Sequence, residues 1–163
     1  MQSITPCLWF DSDAEEAANF YVSIFKNSKI TKVQRYSEVG QEHHGKPAGS
    51  VMVAAFEING QPFTALNGGP IFKLSEAVSF QVMCDNQDEV DYYWEKLSAG
   101  GDPKAQACGW LKDKFGVSWQ VIPVEFLQII SGPDAEKSQR TMQAMFGMKK
   151  LDINALRKAA EGK

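Results

Sequence analysis

Two helix starts separated by 73 residues constrain this chain more than any other feature of it. Asp13-Ala14-Glu15-Glu16 and Asn86-Gln87-Asp88-Glu89 each place a capping side chain three residues ahead of a Glu, the signature of a helix N-terminus. The same displacement lays Phe20-Tyr21 on Tyr93-Trp94 and Ile24 on Leu97, so the pairs 13/86, 16/89, 21/94 and 24/97 are all 73 positions apart. Each helix follows an apolar run, Ile4 to Phe10 or Val78 to Cys84, and precedes further strand-like segments. A chain built from two strand-helix-strand modules can pair them around a shared cavity, which constrains architecture before it constrains chemistry.

The first module, about residues 1–70, reads as a strand, a helix over about 14–25, and three strands. These are Lys29 to Tyr36, Val51 to Ile58 and Pro62 to Leu66. Asn59-Gly60 between the last two is the strongest short hairpin signal in the chain. The polar stretch Ser37 to Ser50 reads as a loop, and Asn67-Gly68-Gly69-Pro70 begins the linker. The second module, about residues 71–125, holds a helix over about 87–99 stopped by Gly100-Gly101. Strands are expected at Ala105 to Cys108, Trp110 to Lys112 and Val117 to Pro123. A helical tail, about residues 126–163, lies outside the repeat. In it Met142, Met145 and Phe146 form an apolar stripe suited to core packing, or otherwise to a lid or dimer contact, and Asp152 caps a last helix. The whole of 1–163 is expected to form one domain of class α+β.

Composition narrows the partners. A net charge of −3 with scattered Lys and Arg argues against nucleic acid or an anionic membrane surface. No run approaches the ~20 apolar residues of a membrane span. The opening Met1-Gln2-Ser3-Ile4-Thr5-Pro6 has neither a basic nor an apolar leader region, and Cys7, Cys84 and Cys108 show no C-x-x-C spacing. A cytoplasmic protein with reduced thiols packed as small apolar groups is the expectation. Trp110, beside Gly109 on an edge strand, is the aromatic residue best placed for a pocket. Lys112, Asp113 and Lys114 read as a solvated turn. His43-His44, the only histidines, read as a solvated loop pair, or as an acid or base if the loop folds over a cavity.

Specific segments then resemble a known family. Ile4-Thr5-Pro6 leading to Phe10-Asp11 and Ala14-Glu15-Glu16-Ala17, Ala65-Leu66-Asn67-Gly68-Gly69, and the long run Cys108-Gly109-Trp110-Leu111-Lys112-Asp113-Lys114-Phe115-Gly116-Val117-Ser118-Trp119-Gln120-Val121-Ile122-Pro123 carry the likeness. So does the tail from Met142-Gln143-Ala144-Met145 to Met148-Lys149-Lys150-Leu151-Asp152-Ile153. The chain resembles the vicinal oxygen chelate superfamily (glyoxalase I, bleomycin-resistance proteins, extradiol dioxygenases). Within it, the PhnB-like, 3-demethylubiquinone 3-methyltransferase-like branch is the nearest in pattern. The resemblance implies two βαβββ modules forming an incomplete, glyoxalase-like barrel with C-terminal helices, a small-molecule ligand and a homodimer.

It also implies four metal-ligand positions on strands, normally His, Glu or Gln. Here these fall on Pro6, Ser79 and Gln120, with the fourth-strand position open between Ala65 and Asn67. Pro has no donor atom and Ser is a poor ligand, and a one-residue shift to Cys7 and Phe80 is no better. No metal ligands and no catalytic residue are therefore assigned, and no cofactor is evident. The family's methyltransferase label finds no Rossmann unit here, since no βαβ unit follows Asn67-Gly68-Gly69-Pro70. Strand alternation from the ligand positions adds Leu8 and Gln81, and with the edge-strand Trp110 the pocket candidates are Pro6, Leu8, Asn67, Ser79, Gln81, Trp110 and Gln120. Two readings stay open: a binding protein, or a metal-dependent lyase, isomerase or transferase acting on a small oxygen-rich substrate.

Overall fold

The computed structural model describes residues 4–163, so the leader expectation at Met1-Gln2-Ser3 lies outside the described residues. Two compact units divide between Leu74 and Ser75.

The first unit is a mixed sheet with strand order β1-β4-β3-β2. Its strands are β1 (Cys7–Phe10), β2 (Lys29–Arg35), β3 (Val51–Ile58) and β4 (Gln61–Asn67). Asn59 and Gly60 join β3 to β4 with φ values of 48° and 79°. Both central residues are left-handed, as a two-residue hairpin requires, and Asn and Gly tolerate that conformation best. Helix α1 (Ala14–Ile24) buries Ala14, Ala17, Ala18, Tyr21 and Ile24, one stripe at three-and-four spacing. It packs on β3 and β4.

The side chains beneath it are small or flat. Ala54 and Ala65 are fully buried, and Phe56 stacks between Tyr21 and its cross-strand partner Phe63. Register then assigns the faces. Phe63, Ala65 and Asn67 alternate onto the helix side of β4, and Leu8 and Phe10 pair with Ala65 and Asn67. Leu8 is accordingly core, at 7% exposed.

Asp13 makes no side-chain cap to α1. The Asn67 Oδ1, 53 residues away, accepts the Ala14 N–H instead, at 2.8 Å. The Asn67 Nδ2 donates to the Val51 carbonyl at 3.1 Å. In the loop after β2, Gln41–His44 forms a single helical turn, α2. Beyond β4, Gly68 lies under the Trp9 indole, where a Cβ would sit 2.1 Å from the ring, and the Trp9 Nε1 donates to the Gly69 carbonyl. No helix follows, and β4 leads by turns to β5. These glycines serve close packing rather than a phosphate cradle.

The second unit has an open three-stranded sheet of order β5-β7-β6. Its strands are β5 (Ser79–Cys84), β6 (Trp110–Lys112) and β7 (Ser118–Pro123). Helix α3 (Gln87–Ser98) does have a local cap. Asn86 Oδ1 accepts the Glu89 N–H, and Glu89 Oε2 accepts the Asp85 N–H. It contacts all three strands.

The strand expected at Ala105 to Cys108 is not formed. Asp102 caps a 3-10 turn over Pro103–Ala105, and only a bridge from Ala107 to Trp110 remains. Pro103 lacks the N–H a strand ladder needs, and the Asp102 side chain offers the backbone a competing partner. This module is therefore one strand short of the expected βαβββ, within the α+β class as expected.

The tail supplies the missing hydrogen bonds. The Cys108 and Gly109 N–H groups donate to the Met148 and Lys149 carbonyls, both at 2.8 Å. Three helices precede and follow that segment: α4 (Val124–Ile130), α5 (Ala135–Phe146) and α6 (Ile153–Ala160). Ile122, Phe126, Met145, Leu151 and Leu156 form their shared core, with Met142 packed against it. Phe146 departs from the expected stripe and is 63% exposed. The Asp152 cap on α6 is present, with the Ala155 N–H donating to Oδ1. Gln87 ties the tail back to α3, its side chain bonding both the Leu151 carbonyl and the Ile153 N–H.

Candidate functional site

Alternation divides the second sheet into two faces. Phe80, Cys84, Trp119, Val121 and Leu111 form the α3 side, where Phe80 and Trp119 meet as cross-strand neighbours with ring centres 5.5 Å apart. The opposite face presents two rows across β5, β7 and β6. Ser79, Ser118 and Lys112 make the first, and Gln81, Gln120 and Trp110 the second. Beyond them Met83 stands opposite Ile122, where the tail core begins.

The rows are stitched by side chains. The Gln120 Nε2 donates to the Ser79 Oγ at 2.8 Å, and the Gln81 Nε2 donates to the Gln120 Oε1 at 3.4 Å. Lys112, half-buried, forms an ion pair with Glu76 in the segment leading to β5. That hydrogen bond from the ammonium holds the Glu76 carboxyl below its usual range. The Ser118 Oγ is buried and has no hydrogen-bond partner among the described residues.

Ser79, Gln81 and Gln120, which alternation had set on one side, share this face with Trp110. The signal for Lys112 was available in the same way, because it lies two residues from Trp110 on β6 and so shares its face. Lys112, Asp113 and Lys114 are not one solvated turn. Asp113 is only 3% exposed and accepts from the Phe115 and Val117 N–H groups and from the Trp119 indole. It fixes the turn into β7 and the Trp119 ring.

The candidates of the first unit have other roles. Leu8 packs on the α1 side. Asn67, 6% exposed, has both ends of its amide committed to backbone. The Pro6 carbonyl accepts the Thr64 N–H just before β1. A shallow cavity of about 300 Å³ does border Asn67, lined also by Asp11, Glu15, Lys46, Ser50 and Val51.

The four superfamily ligand positions do not fit a divalent ion. Pro6 has no donor, Ala65 none, the Asn67 oxygen is taken, and Ser79 is bonded to Gln120. Among the described residues no three His, Cys, Asp or Glu side chains converge. The two histidines diverge in use. His43 lies 3.3 Å from Glu42, while His44 stacks near Tyr36 and its Nδ1 accepts the Lys46 N–H. Burial, with the nearby Glu89 and Asp85 carboxylates, pushes the Cys84 thiol up to about 12, which suits small apolar packing.

A helix on one face of an open sheet, built twice in one chain, is the glyoxalase-like plan. The comparisons agree. The family model described as 3-demethylubiquinone-9 3-methyltransferase matches residues 2–122, and the chain belongs to this PhnB-like family. A PhnB protein from Bacillus cereus is 36% identical, over 76% of this chain and 100% of its own, with a TM-score of 0.65. A Pseudomonas aeruginosa protein at 20% identity (76% and 98% covered, TM-score 0.57) shares the fold. So does the fosfomycin resistance protein FosX of Mesorhizobium loti, at 14% identity (74% and 89% covered, TM-score 0.50). None of the curated proteins matches the chain. Helices α4 to α6 lie beyond the family match.

Proposed function

We propose that this protein binds a small organic molecule on the open face of its second sheet, without a resident metal. Gln81, Gln120 and Ser79 act as polar anchors and Trp110 as a flat apolar wall. The observation that carries this reading is the continuous side-chain chain from Gln81 through Gln120 to Ser79 beside Trp110. Amide groups locked to one another present a fixed pattern of donors and acceptors, and an aromatic wall contributes affinity at little entropic cost. Methyl transfer is disfavoured, because Gly68 and Gly69 are engaged with Trp9 and no cofactor cradle follows β4. A cytoplasmic homodimer is the proposed state.

The test pairs Ser79→Ala with Gln120→Ala in a ligand screen followed by sedimentation velocity and elemental analysis of untagged protein. Weakened ligand binding with retained folding supports the reading. Loss of a measurable turnover on the same ligand favours an enzyme instead. Near-equimolar zinc, nickel, iron or manganese would refute the metal-free site, and a monomer at micromolar concentration the dimer.

A further inference from the structure

The first row of the open face, Ser79, Ser118 and Lys112, has a different chemistry from the amide row next to it. Three facts define it. Ser118 is 2% exposed and its hydroxyl has no partner among the described residues. A buried hydroxyl left unbonded costs about 1–3 kcal/mol, and an alanine would avoid that cost at the same place in the strand. Ser79, directly across from Ser118, accepts from Gln120 and so keeps its own proton to donate. Lys112, directly across on the other side, brings an ammonium whose side chain is 28% exposed. Two hydroxyl donors and a cation in one cross-strand row form a receptor for an oxyanion.

A carboxylate already reaches this row. Glu76, with a side chain 61% exposed, holds Lys112 from the chain segment just before β5. An ion pair this open contributes little to stability, so a better-placed carboxylate can displace it at small cost. Along β6 the step from Lys112 to Trp110 is two residues, about 6.6 Å of strand rise. A ligand whose acid group sits at Lys112 therefore has its body beside Trp110.

We propose that Ser79, Ser118 and Lys112 form an oxyanion subsite that takes the carboxylate of a planar organic acid lying against Trp110, and that Glu76 is the internal carboxylate it displaces. This rests on the binding face proposed above and adds its ligand class.

The probes are cinnamate and its uncharged isostere cinnamamide, titrated against the full-length protein. Amide and indole resonances of Gln81, Gln120 and Trp110 are followed by NMR. Cinnamate is expected to bind at least about tenfold more tightly than cinnamamide, as a charge-assisted contact dictates. Lys112→Gln brings that ratio to about one while sparing cinnamamide, and Lys112→Arg keeps most of it. Glu76→Gln tightens cinnamate about threefold by removing the competitor. Ser118→Ala, which leaves no buried group unbonded, weakens cinnamate about fivefold and leaves cinnamamide unchanged. Equal binding of acid and amide, or no effect of Glu76→Gln, would overturn the oxyanion subsite and leave the binding face standing. Absence of any shift at Gln81, Gln120 and Trp110 with both probes would overturn the two together.

Discussion

Replacing Asn67 by Ala should damage this protein far more than replacing Asp13, although Asp13 is the residue at the start of the helix. The side chain of Asn67 satisfies the buried Ala14 N–H and the part-buried Val51 carbonyl. Losing a helix cap costs about 0.5–2 kcal/mol. Leaving a second, part-buried group unbonded adds about 1–3 kcal/mol. The sum for Asn67→Ala is roughly 2–4 kcal/mol, after some relief by water at the adjoining cavity. For a chain of this length each kcal/mol moves the melting point about 2–4 °C, so a fall of roughly 4–16 °C is expected. The Asp13 side chain makes no cap bond, and its loss removes a charge near the helix N-terminus, about 0.3–1 kcal/mol, and one exposed bond from the Ser12 hydroxyl. Urea unfolding followed by far-UV circular dichroism decides the matter, with Asn67→Asp as a third variant that keeps the acceptor for Ala14. If Asp13→Ala costs as much as Asn67→Ala, the long-range cap is not what holds α1 in place.

Three further outcomes are expected. Gly68→Ala puts a methyl inside the Trp9 indole's space, so Trp9 must leave its seat; loss of more than about 3 kcal/mol is expected, and unchanged stability in a urea titration would contradict the packing. Cys84, with its thiol at about 12, should resist an aromatic disulfide reagent in the native protein at pH 8, whereas the exposed Cys7 reacts at once; fast labelling of Cys84 by peptide mapping would count against its burial. Acid should loosen the tail. Hydrogen bonds from Lys150 to Asp91 and from Arg157 to Glu125 hold both carboxyls below their ordinary values. Their contribution is therefore complete above about pH 5, clear of the unfolded carboxyl values, and lost as pH falls through the lower folded-state values. Each exposed pair contributes about 0.2–1 kcal/mol. Asp91→Asn with Glu125→Gln should flatten the stability profile below about pH 5, and an unaltered acid limb would exclude these pairs as its source.

The sequence was most legible where local rules act alone. The Asn86 and Asp152 caps, the Asn59-Gly60 hairpin and the shared face of Ser79, Gln81 and Gln120 all follow from spacing and alternation. It was least legible where a distant group overrides the local one. Asp13 has the right identity for a cap, but its side chain takes no helix N–H, and Asn67 instead reaches the Ala14 N–H from a distant strand. Alternation run from Pro6 put Leu8 on an open face, whereas the parallel register with β4 sends it to the helix. At Ala105 to Cys108 strand propensity yielded to Asp102-Pro103, and the tail took over the hydrogen bonds. Asp113 looked solvated among its lysine neighbours because nothing local shows that the Trp119 indole will bind it.

The two halves repeat one plan but complete it on different schedules. As the chain leaves the ribosome, α3 carries its cap with it, since Asn86 and Glu89 arrive together. The first helix must wait: both the side chain bonded to the start of α1 and the ladder partner of β1 belong to Gln61–Asn67, made some fifty residues later. The β1–α1 segment, made before its partner strand, is thereby among the last parts of its unit to be fastened, and that interval is when a nascent chain most needs protection from unwanted contacts.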